Sequence, residues 1–356
     1  MSAIDLGYHV QVPGNVSRFF ALKDEAQNQP LGTVQLAWRP EDPYVFNMAF
    51  NPELTRYDRH YCTSVVDINR VIQLPTATYF ENRIVPHLSQ STRPRVVDIG
   101  CGQGEFVEFL RGIGVAAEGF DPVLQNPATH LHPRLWSPRE AEADLYIMRC
   151  VLPHIPDPWA FLASLAEASP SCLVLVEFQQ LEWILLNDLW YQISHDHVNL
   201  FKMSDFSDRY EVITNGDFAG GEWSWVLIDP STYRTPLPRD TEIGQAIRSL
   251  WHRRSEFMSA IAREDRPVAI WGAAGKGIAL SHALAQVHND IYAIDADPLR
   301  WGLFMEASGI LVDSPAEASH LLPKDTLILV CNPNHLADVT RFIDGKWDLS
   351  LPSGIK

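Results

Sequence analysis

Three glycines alternate with other residues in the run Asp98-Ile99-Gly100-Cys101-Gly102-Gln103-Gly104. Glycine lets a backbone turn tightly and approach a ligand closely. A helix expected from about Glu105 would point its N-terminal amide dipole at a ligand on this loop. The spacing G-x-G-x-G differs from the G-x-G-x-x-G of dinucleotide sites. The loop therefore favours S-adenosylmethionine (SAM) over a nicotinamide dinucleotide as its ligand.

An acidic residue, Asp121, ends the following strand in Gly119-Phe120-Asp121-Pro122. A carboxylate at that position can accept hydrogen bonds from ribose hydroxyls. The order strand, loop, helix, strand, acid is more specific than the glycines alone. A structural turn and an NAD-dependent oxidoreductase remain the alternatives. The residues expected to bind the donor are Asp98, Gly100, Cys101, Gly102, Gly104 and Asp121.

A second glycine turn, Trp271-Gly272-Ala273-Ala274-Gly275-Lys276-Gly277, follows another apolar run. It lacks the dinucleotide spacing, and no Ser or Thr follows the lysine as a Walker loop requires. Lys276, at the start of the next helix, could meet a phosphate as a point charge. The alternative is a tight turn with an exposed lysine.

Apolar strand-like runs alternate with helical stretches along most of the chain. The runs are Arg95 to Gly100, Val115 to Phe120, Asp144 to Met148 and Cys172 to Phe178. This alternation predicts an α/β fold with a doubly wound parallel sheet, a small N-terminal cap and a second Rossmann-like C-terminal lobe. The expected units are a cap over 1–55, a ligand-binding domain over 56–205, antiparallel strands and a connecting helix over 206–265, and the C-terminal lobe over 266–356.

Composition limits the partners and the compartment. The chain has 356 residues and a formal net charge of −16, and such an acidic body disfavours a nucleic-acid partner. We expect no membrane span, because no run of about 18 apolar residues occurs. The N-terminus lacks a secretory pattern, and none of the five cysteines forms a CxxC pair. We therefore expect a cytoplasmic protein, a monomer or homodimer, that acts on a small molecule.

Several further segments, in a shared order, carry a resemblance to a known family. They are Asn51 to Asp58 with Tyr61, Val151 to Pro158, Val176-Glu177-Phe178, His195 to Phe201, the second glycine turn, and Cys331-Asn332-Pro333-Asn334. Together with the glycine run from Asp98 to Gly104, named the donor loop from here on, they make the chain resemble the sugar C-methyltransferases. These are class I SAM-dependent enzymes that methylate keto-sugars carried on a nucleotide diphosphate. The resemblance runs from about residue 33 to about residue 340.

The resemblance implies a reaction and roles for particular residues. A base removes the proton next to a ketone, the enolate is stabilised, and the carbon takes the methyl group. His197 would be the base, with Asp196, His154 and Tyr61 beside it as catalytic residues. Lys276, His195 and Tyr57 would bind the acceptor, a small molecule that the family carries on a nucleotide.

The chain also departs from the family pattern. Arg39-Pro40-Glu41-Asp42 stands where the family has a CxxC pair, which predicts a metal-free remnant of an N-terminal zinc domain. Asp196 replaces a glutamate, and Ser194 replaces a tyrosine. These changes keep open O- or N-methylation of a natural product or polar metabolite, and also a lobe that binds SAM without turnover. The sequence predicts no metal site.

Overall fold

A computed structural model describes residues 3–15, 17–58, 60–61, 74–88, 94–137, 142–238 and 242–355. The strands in these ranges are β1 (Ile4–Pro13), β2 (Phe19–Phe20), β3 (Leu31–Arg39), β4 (Asp42–Asn47), β5 (Arg95–Ile99), β6 (Ala116–Phe120), β7 (Leu131–His132), β8 (Leu145–Arg149), β9 (Leu173–Gln179), β10 (Asn199–Leu200), β11 (Glu211–Phe218), β12 (Trp223–Asp229), β13 (Val268–Trp271), β14 (Ile291–Ile294), β15 (Phe304–Met305), β16 (Val312–Asp313), β17 (Leu327–Val330) and β18 (Asp348–Ser350).

The α-helices in the same ranges are α1 (Lys23–Gln27), α2 (Leu74–Tyr79), α3 (Val85–Leu88), α4 (Glu105–Gly112), α5 (Pro158–Ala168), α6 (Leu181–Leu186), α7 (Met203–Ser207), α8 (Glu242–Ile261), α9 (Lys276–Leu284), α10 (Pro315–Leu321) and α11 (Leu336–Ile343). None of these helices is both long and apolar enough to cross a membrane.

A seven-stranded sheet forms the centre of the molecule, in the order β7-β6-β5-β8-β9-β12-β11. The strands β7, β6, β5, β8 and β9 are parallel to one another. The middle strands β5, β8 and β9 are buried along most of their length, as expected for strands covered on both faces. From β5 the chain continues to β6 and β7 on one side of the sheet, and it then crosses to β8 and β9 on the other side. Ligands bind at the carboxyl ends of the strands at such a switch point, here between β5 and β8.

The hairpin of β11 and β12 adds two antiparallel positions to this sheet, because β12 pairs with β9. The structure thus places the predicted antiparallel strands, within residues 211–229, in the central sheet. Helix α8 follows as an amphipathic helix, and its buried residues Ile247, Leu250, Phe257 and Ile261 lie on one face.

A second, all-parallel sheet has the order β16-β14-β13-β17-β18. Its strands occupy the positions 3-2-1-4-5 in chain order, which is the doubly wound arrangement. The predicted fold class, with a second Rossmann-like lobe at the C-terminal end, is confirmed. The glycine turn after β13 lies at the switch point of this sheet.

The N-terminal cap is a sheet of β1, β3, β4 and the short strand β10. Because β10 comes from the segment after His197, the cap is joined to the central domain by strand pairing. In the hairpin of β3 and β4, Arg39 stacks on the Phe46 ring, 4.1 Å from its centroid. Asp42 forms an ion pair with the buried Arg209. The cation–π contact thus stabilises the hairpin itself, and the ion pair joins the hairpin to the central domain.

Candidate active site

The donor loop leaves β5 through three residues in the left-handed region, Gly100, Gly102 and Gly104, with φ of 74°, 60° and 90°. A methyl group on Gly100 would lie 2.3 Å from Val151, whereas one on Gly102 would meet nothing within 4 Å. The loop is therefore packed from behind at Gly100 and open at Gly102. Cys101 turns its sulfur toward Gly119, so it can contribute only backbone atoms to a ligand.

Asp121 fixes the shape of the loop. Its carboxylate accepts hydrogen bonds from the backbone N–H of Gly102 at 2.9 Å and of Val123 at 2.8 Å. Each oxygen thus keeps a lone pair for a further donor. The matching acid of the C-terminal lobe, Asp295, differs, because it also receives the Arg300 guanidinium at 3.1 Å on each oxygen. Of the two, Asp121 is the one with capacity left for ribose hydroxyls.

A buried charged cluster supports the loop from below, and sequence reasoning missed most of it. Arg149 Nε donates to Glu177 Oε2 at 3.0 Å, and Thr76 donates to Glu177 Oε1 at 2.6 Å. Arg149 also stacks on Phe106 of α4, 4.4 Å from the ring centroid. Burial raises the pKa of the neighbouring Asp98 to about 7, against the opposing charge of Arg149. A glutamate inside an otherwise apolar strand was the signal in the sequence.

The acceptor side brings together side chains that are far apart in the sequence. His154 lies in a 3₁₀ turn after β8, and Cys150, at positive φ of 59°, directs the chain into that turn. The His154 and His197 rings pack edge to face, 4.7 Å between centroids. His154 Nδ1 lies 2.8 Å from the Asp196 carbonyl oxygen and 3.2 Å from the Tyr57 hydroxyl. Four of the residues predicted for catalysis or acceptor binding are thus neighbours.

Tyr61 lies between the donor side and the acceptor side. Its ring packs edge to face on that of Tyr57, at 5.1 Å. Burial, and then the negative charges of Asp196 and Asp121, raise the pKa of Tyr61, so its hydroxyl is a neutral donor near both carboxylates. Burial and the neighbouring His154 lower the pKa of His197 below its usual value. His197 is therefore a neutral imidazole, able to accept a proton, throughout the physiological pH range.

His195 has a different role from the predicted contact with the acceptor. Its ring is fully buried. Nδ1 donates to the Thr33 carbonyl at 2.9 Å, and Nε2 lies 3.2 Å from the Asn51 N–H. A methyl group on Gly32 would lie 2.3 Å from the ring. Both nitrogens face backbone groups of the cap, so His195 joins the cap to the central domain and does not present a free ring nitrogen to an acceptor.

A cavity of about 1160 Å³ lies between the central domain and the C-terminal lobe. His197 and Gln179 reach it from one side, and Lys276 reaches it from the other. Aromatic and polar side chains of the C-terminal lobe complete the wall, among them Trp271, Trp301, Phe342, Asn332 and Asn334.

Lys276 is not a free cation in this cavity. Its Nζ lies 2.5 Å from Glu222 Oε1, and Asn332 and Asn334 donate to the other oxygen of Glu222. Glu222 is almost fully buried. The exposed lysine and the phosphate ligand were the two predicted alternatives, and the first is wrong because Glu222 holds the ammonium. A phosphate would have to share this lysine with a carboxylate.

Residues 75–211 match the model of a family described as a methyltransferase domain. This region is thus similar to methyltransferase domains. The predicted enzyme class, a SAM-dependent methyltransferase, and its donor are confirmed. The matched residues include the donor loop, Asp121 and the histidine cluster, and they end before the C-terminal lobe. No curated protein matches the chain significantly.

Several solved structures resemble a little under half of the chain. One is a protein from Pyrococcus horikoshii OT3, with 13% identity, a TM-score of 0.36, and coverage of 49% of this chain and all of the other. Another is magnesium protoporphyrin IX methyltransferase from Synechocystis PCC 6803 with bound S-adenosylhomocysteine. Its identity is 13% and its TM-score is 0.34, and the match covers 47% of this chain and 88% of the other. A third is a SAM-dependent methyltransferase from Clostridium acetobutylicum ATCC 824. Its identity is 10% and its TM-score is 0.35, and the match covers 45% of this chain and 92% of the other.

Proposed function

We propose that the protein transfers a methyl group from SAM to a carbon atom next to a carbonyl group of a small acceptor. The observation that carries this proposal is the position of His197. Its ring borders the large cavity and packs on His154, and a chain of ring contacts continues from His154 through Tyr57 to Tyr61. The acceptor would occupy the cavity and present its reacting carbon where these side chains meet.

The donor site fits SAM in shape and in charge. The space beside Gly102 is open, and Asp121 has free lone pairs for ribose hydroxyls. The carboxylate of Asp121 beside the open loop suits a ligand with a sulfonium and an ammonium group. When bound, SAM supplies an electrophilic methyl group and leaves as a neutral thioether.

The protein's own residues would make the carbon nucleophilic. His197 takes the α-proton of the acceptor on a ring nitrogen, and the electron pair of the C–H bond moves toward the carbonyl oxygen. Tyr61, kept protonated by its raised pKa, donates a hydrogen bond to that oxygen as negative charge develops. The carbon then forms the new bond to the methyl group. Asp196 would hold the histidine segment in place through its bond from Ser194, at 2.6 Å.

The acceptor that the resemblance favours is a keto-sugar linked to a nucleotide, held by the C-terminal lobe. Trp271, Trp301 and Phe342 offer apolar surface on which a base could stack. The charge of the cavity is less favourable to a diphosphate, because Glu222 already pairs with Lys276. We therefore expect the aromatic wall, more than the lysine, to supply binding energy for a nucleotide.

The test pairs activity with the position of the new methyl group. The enzyme is incubated with SAM and a panel of keto-sugars, each with and without its nucleotide. S-adenosylhomocysteine formation is followed by mass spectrometry, and NMR shows whether the methyl group is on carbon, oxygen or nitrogen. A C-methyl product, and loss of α-deuterium exchange in His197→Gln, support the proposal. An O- or N-methyl product would replace it with the alternative chemistry on the same scaffold.

A further inference from the structure

Three potential metal ligands meet beside the cavity although one of them is remote in the sequence. His154 comes from the turn after β8, and Asp196 and His197 precede β10. One ligand atom from each residue lies within 4.8 Å of the ligand atoms of the other two. Atoms bound at about 2.1 Å to one ion are separated by roughly 3.0–4.2 Å. Rotations that move these side chains by about 1 Å would therefore suffice to close the set around an ion.

Hydrogen bonds already orient two of the three ligands. The Asp196 carbonyl can only accept, so the hydrogen of His154 lies on Nδ1, 2.8 Å from that oxygen. The lone pair of His154 is then on Nε2, which is free to bind a metal. A metal-ligating histidine characteristically donates its other N–H to a carbonyl or a carboxylate in this way. Ser194 donates to Asp196 Oδ1 at 2.6 Å and restrains the carboxylate.

The chemistry of this set selects a class of ion. Two imidazoles and one carboxylate suit Zn²⁺, Co²⁺, Ni²⁺ or Fe²⁺ and are a poor set for Mg²⁺ or Ca²⁺, which prefer oxygen ligands. Three protein ligands also leave a fourth position open, as in sites where zinc binds a small molecule. His154 and His197 are only partly buried, and His197 borders the cavity, which provides a route of entry.

We propose that His154, Asp196 and His197 form a binding site for a divalent transition-metal ion, and that the bound ion blocks methyl transfer. The blocking rests on the proposed function, because the ion takes the ring nitrogen with which His197 would accept the α-proton. Metal binding itself is independent of that function. The donor loop contributes no ligand, so SAM binding continues in the metal-loaded protein.

The first test is a calorimetric titration of chelator-treated full-length protein with ZnCl₂. The wild type should bind one tight equivalent, and Asp196→Asn and His154→Gln should each weaken binding at least tenfold. His252→Ala is the matched control, since this histidine is exposed on α8 and pairs with Glu256, and it should leave the titration unchanged. MgCl₂ should give no comparable heat.

The variants are accepted as folded if their circular dichroism and SAM affinity match the wild type. A wild type that binds no tight equivalent, or two folded variants with wild-type affinity, would overturn the site. The second test adds Zn²⁺ to the methyl-transfer assay, where turnover should fall at least tenfold and return with EDTA. Unchanged turnover at saturating Zn²⁺ would overturn the blocking role. If no acceptor is methylated at all, the proposed function fails while the titration still decides the metal site.

Discussion

Asp98 lies under the donor loop in a position that should make the stability of the protein depend on pH. Its side chain is buried, and one carboxyl oxygen has no hydrogen-bond partner among the described residues. Arg149 is the nearest opposing charge, and Glu177 holds its Nε. Burial raises the pKa of Asp98 from 3.8 to about 7. The folded protein thus keeps a proton that the unfolded chain has already lost.

The pKa of Asp98 is higher in the folded state than in the unfolded state. Its contribution to the free energy of unfolding is therefore fully present below pH 3.8 and is lost as the pH rises to about 7. Replacement by the neutral Asp98→Asn removes this dependence. Between pH 5 and pH 8 the wild type loses about 3 kcal/mol relative to the variant, at about 1.36 kcal/mol for each pH unit up to 7. The cost of burying the amide is the same at both pH values and cancels in this comparison.

The assay is urea unfolding of wild type and Asp98→Asn at pH 5 and pH 8, without SAM. The difference in unfolding free energy should shift by about 3 kcal/mol in favour of the variant at pH 8. Asp338→Asn is the control, because this carboxylate is exposed and pairs with Arg341 on the surface at 3.4 Å. A shift below about 1 kcal/mol for Asp98→Asn, or one of opposite sign, would refute the reasoning.

Three further predictions concern the donor loop, the base and the buried ion pair. Gly102→Ala should weaken SAM binding at least tenfold in calorimetry. Gly114 also has a positive φ and open surroundings, so Gly114→Ala should cost only about 1 kcal/mol of stability and leave SAM affinity unchanged. Equal SAM affinities of the two variants would contradict an open donor site. His197→Gln should bind SAM normally and lose turnover. Because burial and His154 lower the pKa of His197, the wild-type pH–rate profile should have its acidic inflection below pH 6.5; an inflection at or above pH 6.5 would exclude this imidazole as the base. Arg149→Met should lower the unfolding free energy by about 3–5 kcal/mol, because Glu177 is left buried without its charge partner. Adding Glu177→Gln to this variant should restore part of the lost unfolding free energy. If chemical denaturation shows no recovery in the double variant, the ion pair does not stabilise the fold in this way.

The sequence predicted those parts of the fold that depend on local patterns. Apolar runs separated by helical stretches predicted two doubly wound lobes, and the glycine spacing after β5 predicted the donor loop with Asp121 beyond it. Gly102 and Asp121 meet because consecutive parallel strands place their carboxyl ends side by side. Such adjacency follows from the βαβ unit itself and needs no tertiary detail.

Features that depend on distant pairing could not be predicted in this way. His154 and Asp196 are 42 residues apart and meet only because β8 and the segment before β10 end at the same edge of the sheet. For that reason the sequence did not show that His154 lies beside Asp196 and His197, and it predicted no metal site. The pairing of Lys276 with Glu222 and the contact of His195 with the cap likewise join segments of different units.

The most direct test of the central claim is a crystal structure of the protein with S-adenosylhomocysteine. We predict that its amino-acid end lies against the backbone of residues 100–104, and that Asp121 accepts hydrogen bonds from both ribose hydroxyls at about 2.6–2.9 Å. Full-occupancy density for the ligand elsewhere, or a nicotinamide cofactor bound at Gly102 in its place, would contradict it.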